Sequence, residues 1–420
     1  MRLNIINTIS KSDKNRSPSV FSSLYNPAYR RLWSAGSFWY LNRMMEVTIL
    51  SWLVLELTDS PFQVALVGIS RMSPMFLLGL VAGSIADKFP KKRTMVQLQI
   101  FNIFVTSATF LMITFGDIQP IHVFLSTFCL GSSWSLDFAT RRSFFAELFD
   151  EDNLSNAVSL DVALLFGSLL LGPMFSGALI RLSGFPLAYG MILIFYLFAF
   201  LILVRVPKPK RDKVNEIDIP IKRQLSDAIN MIISNRSLWS ALTVTVALNF
   251  FGFPYLQMVP VIARDVLDAN AFWYGVLVSS AGLGSLVASL FIASKSIEKK
   301  HVIYSLGATL MLFAVLIFSL SNTYIISLSS LIVAGIGMSG FATMQPTIAL
   351  QAVDKDMQGR SMGAIALGIG AAPPGMWALG QLSEYVGPQN ALTVFAISGI
   401  IVITLLRFAL PELRDKKFSS

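Results

Sequence analysis

Apolar runs about one bilayer long follow one another from residue 32 to residue 409, parted by short polar turns, and this pattern constrains the chain most. A helix crossing a hydrocarbon core of about 30 Å needs about 20 mainly apolar residues, each adding about 1.5 Å of rise. Twelve segments meet that length, at 32–57, 61–86, 94–115, 120–141, 157–181, 187–206, 238–259, 271–294, 302–320, 324–351, 361–384 and 390–409. Turn chemistry separates many of them, as in Asp59-Ser60-Pro61, Gly116-Asp117 and Val386-Gly387-Pro388. Hydrophobic residues make up 54% of the chain and charged residues 14%, against about 25% charged in soluble domains. Such an apolar surplus cannot be hidden in one globule and is expected to face lipid. An all-α membrane protein with twelve transmembrane helices is the fold class that follows.

The net charge of +9 does not imply a nucleic-acid partner, because its distribution is a topology signal. With the N-terminus in the cytosol, Lys88, Lys91, Lys92, Arg93, Arg141, Arg142, Lys299, Lys300 and Arg407 all fall on the cytosolic side. The opposite side receives only Arg181 and Arg264. Both termini are therefore expected in the cytosol of a multi-pass protein of the cell (inner or plasma) membrane. The longest polar interruption, 207–236, divides the spans into six and six. This predicts a cytosolic segment 1–30, a first bundle 31–206, a cytosolic linker 207–236, a second bundle 237–410 and a tail 411–420. Residues 225–233 of the linker read equally as an amphipathic helix or as solvated chain. The single Cys129 and the distant His122 and His301 exclude a disulfide framework and give no metal cluster. No Gly-rich nucleotide loop is present, which argues against ATP-driven transport and against an enzyme, and no cofactor is expected.

Gly83-Ser-Ile-Ala-Asp87-Lys88-Phe-Pro90-Lys91-Lys92-Arg93 resembles the signature loop between spans 2 and 3 of the major facilitator superfamily. Four stretches resemble its enterobactin-exporter-like branch: 26–33, 51–61, 137–148 and 260–267. The resemblance implies two pseudo-symmetric six-helix bundles that work by alternating access, in a functional monomer. It also implies a gating latch. The loop acid Asp87 would cap a helix of the second bundle starting near Ser361, and Lys91 would pair with Asp137, with Arg141 one turn on. Gly83 and Arg93 complete that element, although Pro90 stands where the superfamily often has glycine. A basic loop that only sets topology is the plainer alternative.

Charges within spans are rarer, since an ionised side chain at mid-helix costs about 2.5–3.5 kcal/mol on insertion scales. Arg43 and Glu46 lie near the middle of span 1 at i, i+3 spacing, and Arg71 in span 2 completes a possible cluster. Glu46 is the candidate proton carrier; a permanent structural ion pair is the equal alternative. Asp161, early in span 5, reads as a headgroup-level acid. In span 5, Gly167, Gly172 and Gly177 are expected to thin one helix face and Pro173 to allow a bend, as in the family's exporter-associated motif. Pro374 and Gly375 repeat that chemistry in span 11. For a central cavity, spans 7 and 10 offer Asn249, Tyr255, Gln257 and Gln345, each of which reads also as an interhelical packing residue.

The function expected is secondary active transport, as proton-coupled export of a small amphipathic, siderophore-like or drug-like molecule. An importer or uniporter of a polar nutrient is the alternative within transport, and a non-transporting sensor or scaffold the alternative outside it. The partners implied are a small-molecule substrate, a proton or other coupling ion, and the lipid bilayer.

Overall fold

The computed structural model describes residues 21–149, 151–207, 234–294, 299–354 and 357–414. Among them there is no strand, and thirteen α-helices carry the chain. The first half holds α1 (Pro27–Thr58), α2 (Pro61–Lys88), α3 (Lys91–Phe115), α4 (Pro120–Leu148) and α5 (Glu151–Val204). In the second half come α6 (Arg236–Phe251), α7 (Tyr255–Asp265), α8 (Ala271–Ala293), α9 (Lys300–Leu320) and α10 (Tyr324–Gln351). It is completed by α11 (Gln358–Ile369), α12 (Ala372–Val386) and α13 (Pro388–Ala409). The twelve expected spans all coincide with these helices. Eight helical segments among the described residues are both long and apolar enough to cross a membrane. One of them, Asn156–Val204, has 49 residues and is about twice as long as a crossing requires. The expected cytosolic segment and the linker, with its amphipathic stretch 225–233, lie largely outside the described residues.

Local chemistry sets the ends of these helices. Asn26 caps α1, its side chain accepting from the N–H groups of Ala28 and Tyr29 at 2.9 and 3.3 Å, and Pro27 takes the first helical position. Asp59, at φ 50, stops α1, and Pro61 starts α2 two residues later. Gly184, at φ 73 and ψ 178, breaks α5 into its two crossings, a conformation open to glycine and closed to most other residues. Spans 7 and 11 are broken at mid-length, at Gly252-Phe253-Pro254 between α6 and α7 and at Gly370-Ala371 between α11 and α12. The two breaks are neighbours: a Cβ on Gly375 would lie 2.2 Å from the carbonyl oxygen of Phe250. The outer surface is apolar, with Phe104 72% and Ile325 71% exposed, as expected where lipid is the solvent.

The halves meet along two helix pairs, α5 with α8 and α2 with α12. In the first pair backbones touch. A Cβ on Gly177 would sit 2.3 Å from the carbonyl oxygen of Ala271, and one on Gly275 would sit 2.3 Å from that of Pro173. Small residues permit such an approach where no hydrophobic drive holds helices together within lipid. The expectation that Gly167, Gly172 and Gly177 share one thin face is corrected here. Five-residue steps turn about 140° on a helix of 3.6 residues per turn, so the three point apart. Gly177 faces the second half, Gly172 faces Met44 of α1, and Gly167 has open space around it. Gly275→Val is expected to destabilise the detergent-purified protein by about 1–3 kcal/mol, read as a lower thermal midpoint. Gly167→Ala, where an added methyl meets nothing, is expected to leave the midpoint unchanged.

Candidate functional site

The core of the first half contains charge. Glu46, in the middle of α1, receives a hydrogen bond from Arg71 of α2, Nη1 to Oε2 at 2.6 Å, and both side chains are buried. Arg43, one turn earlier on α1, is half-buried and lies over the ring of Trp134 on α4, 3.8 Å from its centroid. The three charges predicted from sequence therefore do assemble, but the pairing differs from the expected one. Arg71, not Arg43, holds Glu46, because α2 and α4 pack tightly enough to bring Arg71 inward. A Cβ on Gly131 of α4 would lie 2.3 Å from the carbonyl oxygen of Arg71, so that crossing tolerates nothing larger than glycine. Several polar atoms of this layer are buried and unpartnered among the described residues: Glu46 Oε1, Arg71 Nε, Trp134 Nε1 and the Tyr189 hydroxyl. Pairing offsets the cost of Glu46 and Arg71 at this depth. For Arg43 the ring supplies about 0.5–2 kcal/mol, less than the cost of a lone guanidinium there.

A second charged cluster lies toward the Lys91 end of the same half. Arg141 bonds Asp137 one turn before it on α4, Nε to Oδ2 at 3.1 Å, donates to the carbonyl of Leu32 at 3.4 Å, and stacks over Trp39. Asp161 is buried among protein side chains and accepts from the hydroxyl of Tyr40 at 2.8 Å. Lys91 lies 3.5 Å from Glu147, so the expected Lys91–Asp137 pair is absent from the ion pairs of the described residues. The reason is reach: Arg141 occupies the Asp137 carboxylate from its own helix. Arg93 is exposed. Gly83 and Asp87 fall on the last turns of α2, where side chains lie outside the described residues, and so does the latch expected of them.

At the opposite end the halves are tied by polar contacts that the sequence did not suggest. Arg264 of α7 pairs with Asp59 at 2.8 Å and with Asp265 at 2.6 Å, and donates to the carbonyl of Leu55 at 3.1 Å. Glu384 of α12 sits at the N-terminus of α2, accepting from the Ser60 hydroxyl and from the Phe62 N–H. It thus caps, from one half, a helix of the other. Trp52 and Tyr274 stack across the seam at 5.1 Å, and Gln257 lies against Gly68. This end is closed.

The cavity candidates of the second half are all buried. Gln345 donates to the Thr245 hydroxyl at 2.9 Å, Thr245 shares a hydrogen bond with Tyr304 at 2.7 Å, and Asn249 donates to the carbonyl of Thr245 at 2.9 Å. Gln345, through Thr245 and Tyr304, thus fastens spans 7, 9 and 10 to one another, while the Asn249 amide bonds back to its own helix one turn earlier. Thr245 and Tyr304, which complete the network, look in sequence like ordinary residues of apolar helices. Tyr255 is packed beside the break in span 7, and Gln257 belongs to the closed seam. Gly375 lies against the backbone of Phe250, as described, beside Pro374.

The sequence profile of the transmembrane secretion effector family matches residues 18–420. The chain belongs to that family. It is a major facilitator transporter, a multi-pass membrane protein and not an enzyme, and its cargo is a small molecule. The staphyloferrin A transporter of Staphylococcus aureus (strain NCTC 8325 / PS 47) is 23% identical over 378 residues, covering 87% of this chain and 92% of its own. Among solved structures, a POT family transporter in complex with 5-aminolevulinic acid superposes with a TM-score of 0.73 at 11% identity, covering 92% of this chain and 97% of its own. A point mutant of the nucleoside transporter NupG gives 0.69 at 13% identity, covering 92% and 100%. A bacterial homolog of the human lysosomal transporter Spinster, inward-facing and unoccupied, gives 0.64 at 12%, covering 92% and 96%. At these identities the solved structures establish the fold that the transporter shares.

Removing one member of the buried pair strands the other. Arg71→Gln is expected to destabilise the purified transporter by about 3–5 kcal/mol, since Glu46 is left buried without its partner. Glu46→Gln/Arg71→Gln is expected to recover most of that loss in thermal unfolding in the same detergent.

Proposed function

We propose that this transporter exports a small amphipathic or siderophore-like molecule from the cytosol across the cell membrane, and that Glu46 is the group that takes up and releases the coupling proton. The observation that carries the reading is the Glu46–Arg71 pair, buried at mid-depth and drawn from two different helices. Two charges at this depth are costly unless they work, and a carboxylate held by one guanidinium is neutralised either by that partner or by a proton. A shift of α2 against α1 exchanges the first for the second. The unpartnered Oε1 of Glu46 supplies the atom that a proton would occupy.

Alternating access follows from the seam. In the pose described, Arg264 with Asp59 and Glu384 with the N-terminus of α2 hold one end shut. With both termini in the cytosol, as the distribution of Lys and Arg favours, that end is the external one and this pose opens inward. The breaks in spans 7 and 11 let the second half bend where its hydrogen-bond ladder is already interrupted. Outward direction is supported by the family's character as secretion effectors and by Pro173 and Gly177 lying on the α5–α8 seam.

In proteoliposomes loaded with an extract of candidate solutes, substrate-dependent proton movement is expected for the native protein. Glu46→Gln is expected to abolish it, by at least about tenfold, while substrate binding persists. Full export after collapse of the pH gradient would remove the proton from the mechanism, and net uptake without efflux would reverse the direction.

A further inference from the structure

The first-half charge layer is unbalanced, and the imbalance has a sign. Arg43 and Arg71 supply two guanidinium groups against the one carboxylate of Glu46, and the carboxylate is taken by Arg71. Arg43 has no acidic partner among the described residues; its described contact is the ring of Trp134 at 3.8 Å. It is also the accessible member of the layer, half-buried where Glu46 and Arg71 are buried. Two further N–H donors there, Trp134 Nε1 and Arg71 Nε, are buried without an acceptor, against one unpartnered acceptor, Glu46 Oε1. A buried region with surplus donors and surplus positive charge is completed by an acceptor that carries negative charge.

We propose that the transported molecule is an anion, bearing a carboxylate or an equivalent acidic group, and that Arg43 is the residue that binds this group, with the face of Trp134 beneath the same guanidinium. Arg43 suits the task chemically. Its planar fork accepts a carboxylate with two parallel hydrogen bonds, and stacking on Trp134 holds the plane in place before the ligand arrives. The inference rests on the transport reading but not on the proton step, for ligand and proton act on different groups. The anion neutralises Arg43, while Glu46 and Arg71 retain each other. Lipophilic cations, the other large class of amphipathic solute, meet two guanidinium groups here and are repelled. Gly131 makes the layer possible by letting α4 bring Trp134 against α1 and α2 together.

The test is charge preference measured by binding, independent of flux. The intact transporter in lipid nanodiscs is titrated with citrate and phthalate, with the uncharged amides of both, and with tetraphenylphosphonium. Tryptophan fluorescence and equilibrium dialysis provide the readouts. At least one of the acids is expected to bind about tenfold or more tighter than its amide, the scale of one charge-assisted contact, and the cation not at all. Arg43→Gln is expected to bring the acid-to-amide ratio to about one, and Arg43→Lys to retain part of the preference, with both variants eluting as the native protein does. The fluorescence change is expected to vanish in Trp134→Phe, a result that a purely structural Arg43 would not produce. No saturable binding by either acid, equal binding of acid and amide, preference for the cation, or an unchanged ratio in Arg43→Gln would each overturn the proposal. Acid preference without any flux would leave the anion site standing and remove the export reading. Proton-coupled flux of the cation would do the reverse.

Discussion

A carboxylate and a guanidinium 2.6 Å apart, buried in the middle of a membrane-crossing bundle, set the terms for the rest of this structure. Neither charge tolerates that depth alone, so α1 and α2 are bound to each other for as long as both are ionised. Keeping them there requires close packing on the far side, and Gly131 of α4 provides it by lying against the backbone of Arg71. The same contact places Trp134 under Arg43. One glycine, two arginines, one glutamate and one tryptophan thus form a single unit drawn from three helices. The proposed function gives that polarity a use, the entry and exit of a proton and a ligand.

The seam between the halves is built on different physics. Along α5 and α8 glycines bring backbone against backbone, and the Met174 N–H donates to the Ser279 hydroxyl across the seam at 3.0 Å. At one end it is closed by ion pairs and by a helix cap, contacts that are directional and weakened by water. Exposed pairs of this kind contribute about 0–1 kcal/mol each. The alternating access proposed above calls for a seam of this kind, close-packed along its length and fastened by a few weak polar contacts at its rim. On that proposal the α5–α8 contact shifts, the polar fastening at the rim releases, and the breaks in spans 7 and 11 take up the bend.

Much of this was legible in the sequence, for reasons that also show where legibility ends. The spans could be read because lipid demands long apolar helices, and Glu46 because an acid at mid-span is costly enough to mark itself. Its partner was misassigned. Spacing along α1 favoured Arg43, whereas the choice of Arg71 was made by the packing of α2 on α4, which no local pattern encodes. The stretches at 51–61 and 260–267 were recognised as family resemblances, yet only the fold shows them meeting as Asp59 and Arg264. Glu384 was invisible, since an acid at the end of a span looks solvated until its neighbour from the other half is known. Asn249 and Gln345 went the other way: of two amides expected to face a cavity, Gln345 is consumed in joining helices through Thr245 and Tyr304, and Asn249 bonds the carbonyl of Thr245 on its own helix.

The central claim is that protonation of Glu46 governs which end of the seam is open. The most direct measurement is the distance between spin labels on Leu57→Cys and Tyr385→Cys, exposed residues flanking the closed end, in lipid and with Cys129→Ser, as pH is varied from about 5 to 8. The account predicts two distance populations whose ratio shifts with pH in the native background. In Glu46→Gln it predicts a pH-independent distribution that matches the low-pH native one. A Glu46→Gln protein whose populations still shift with pH would contradict it.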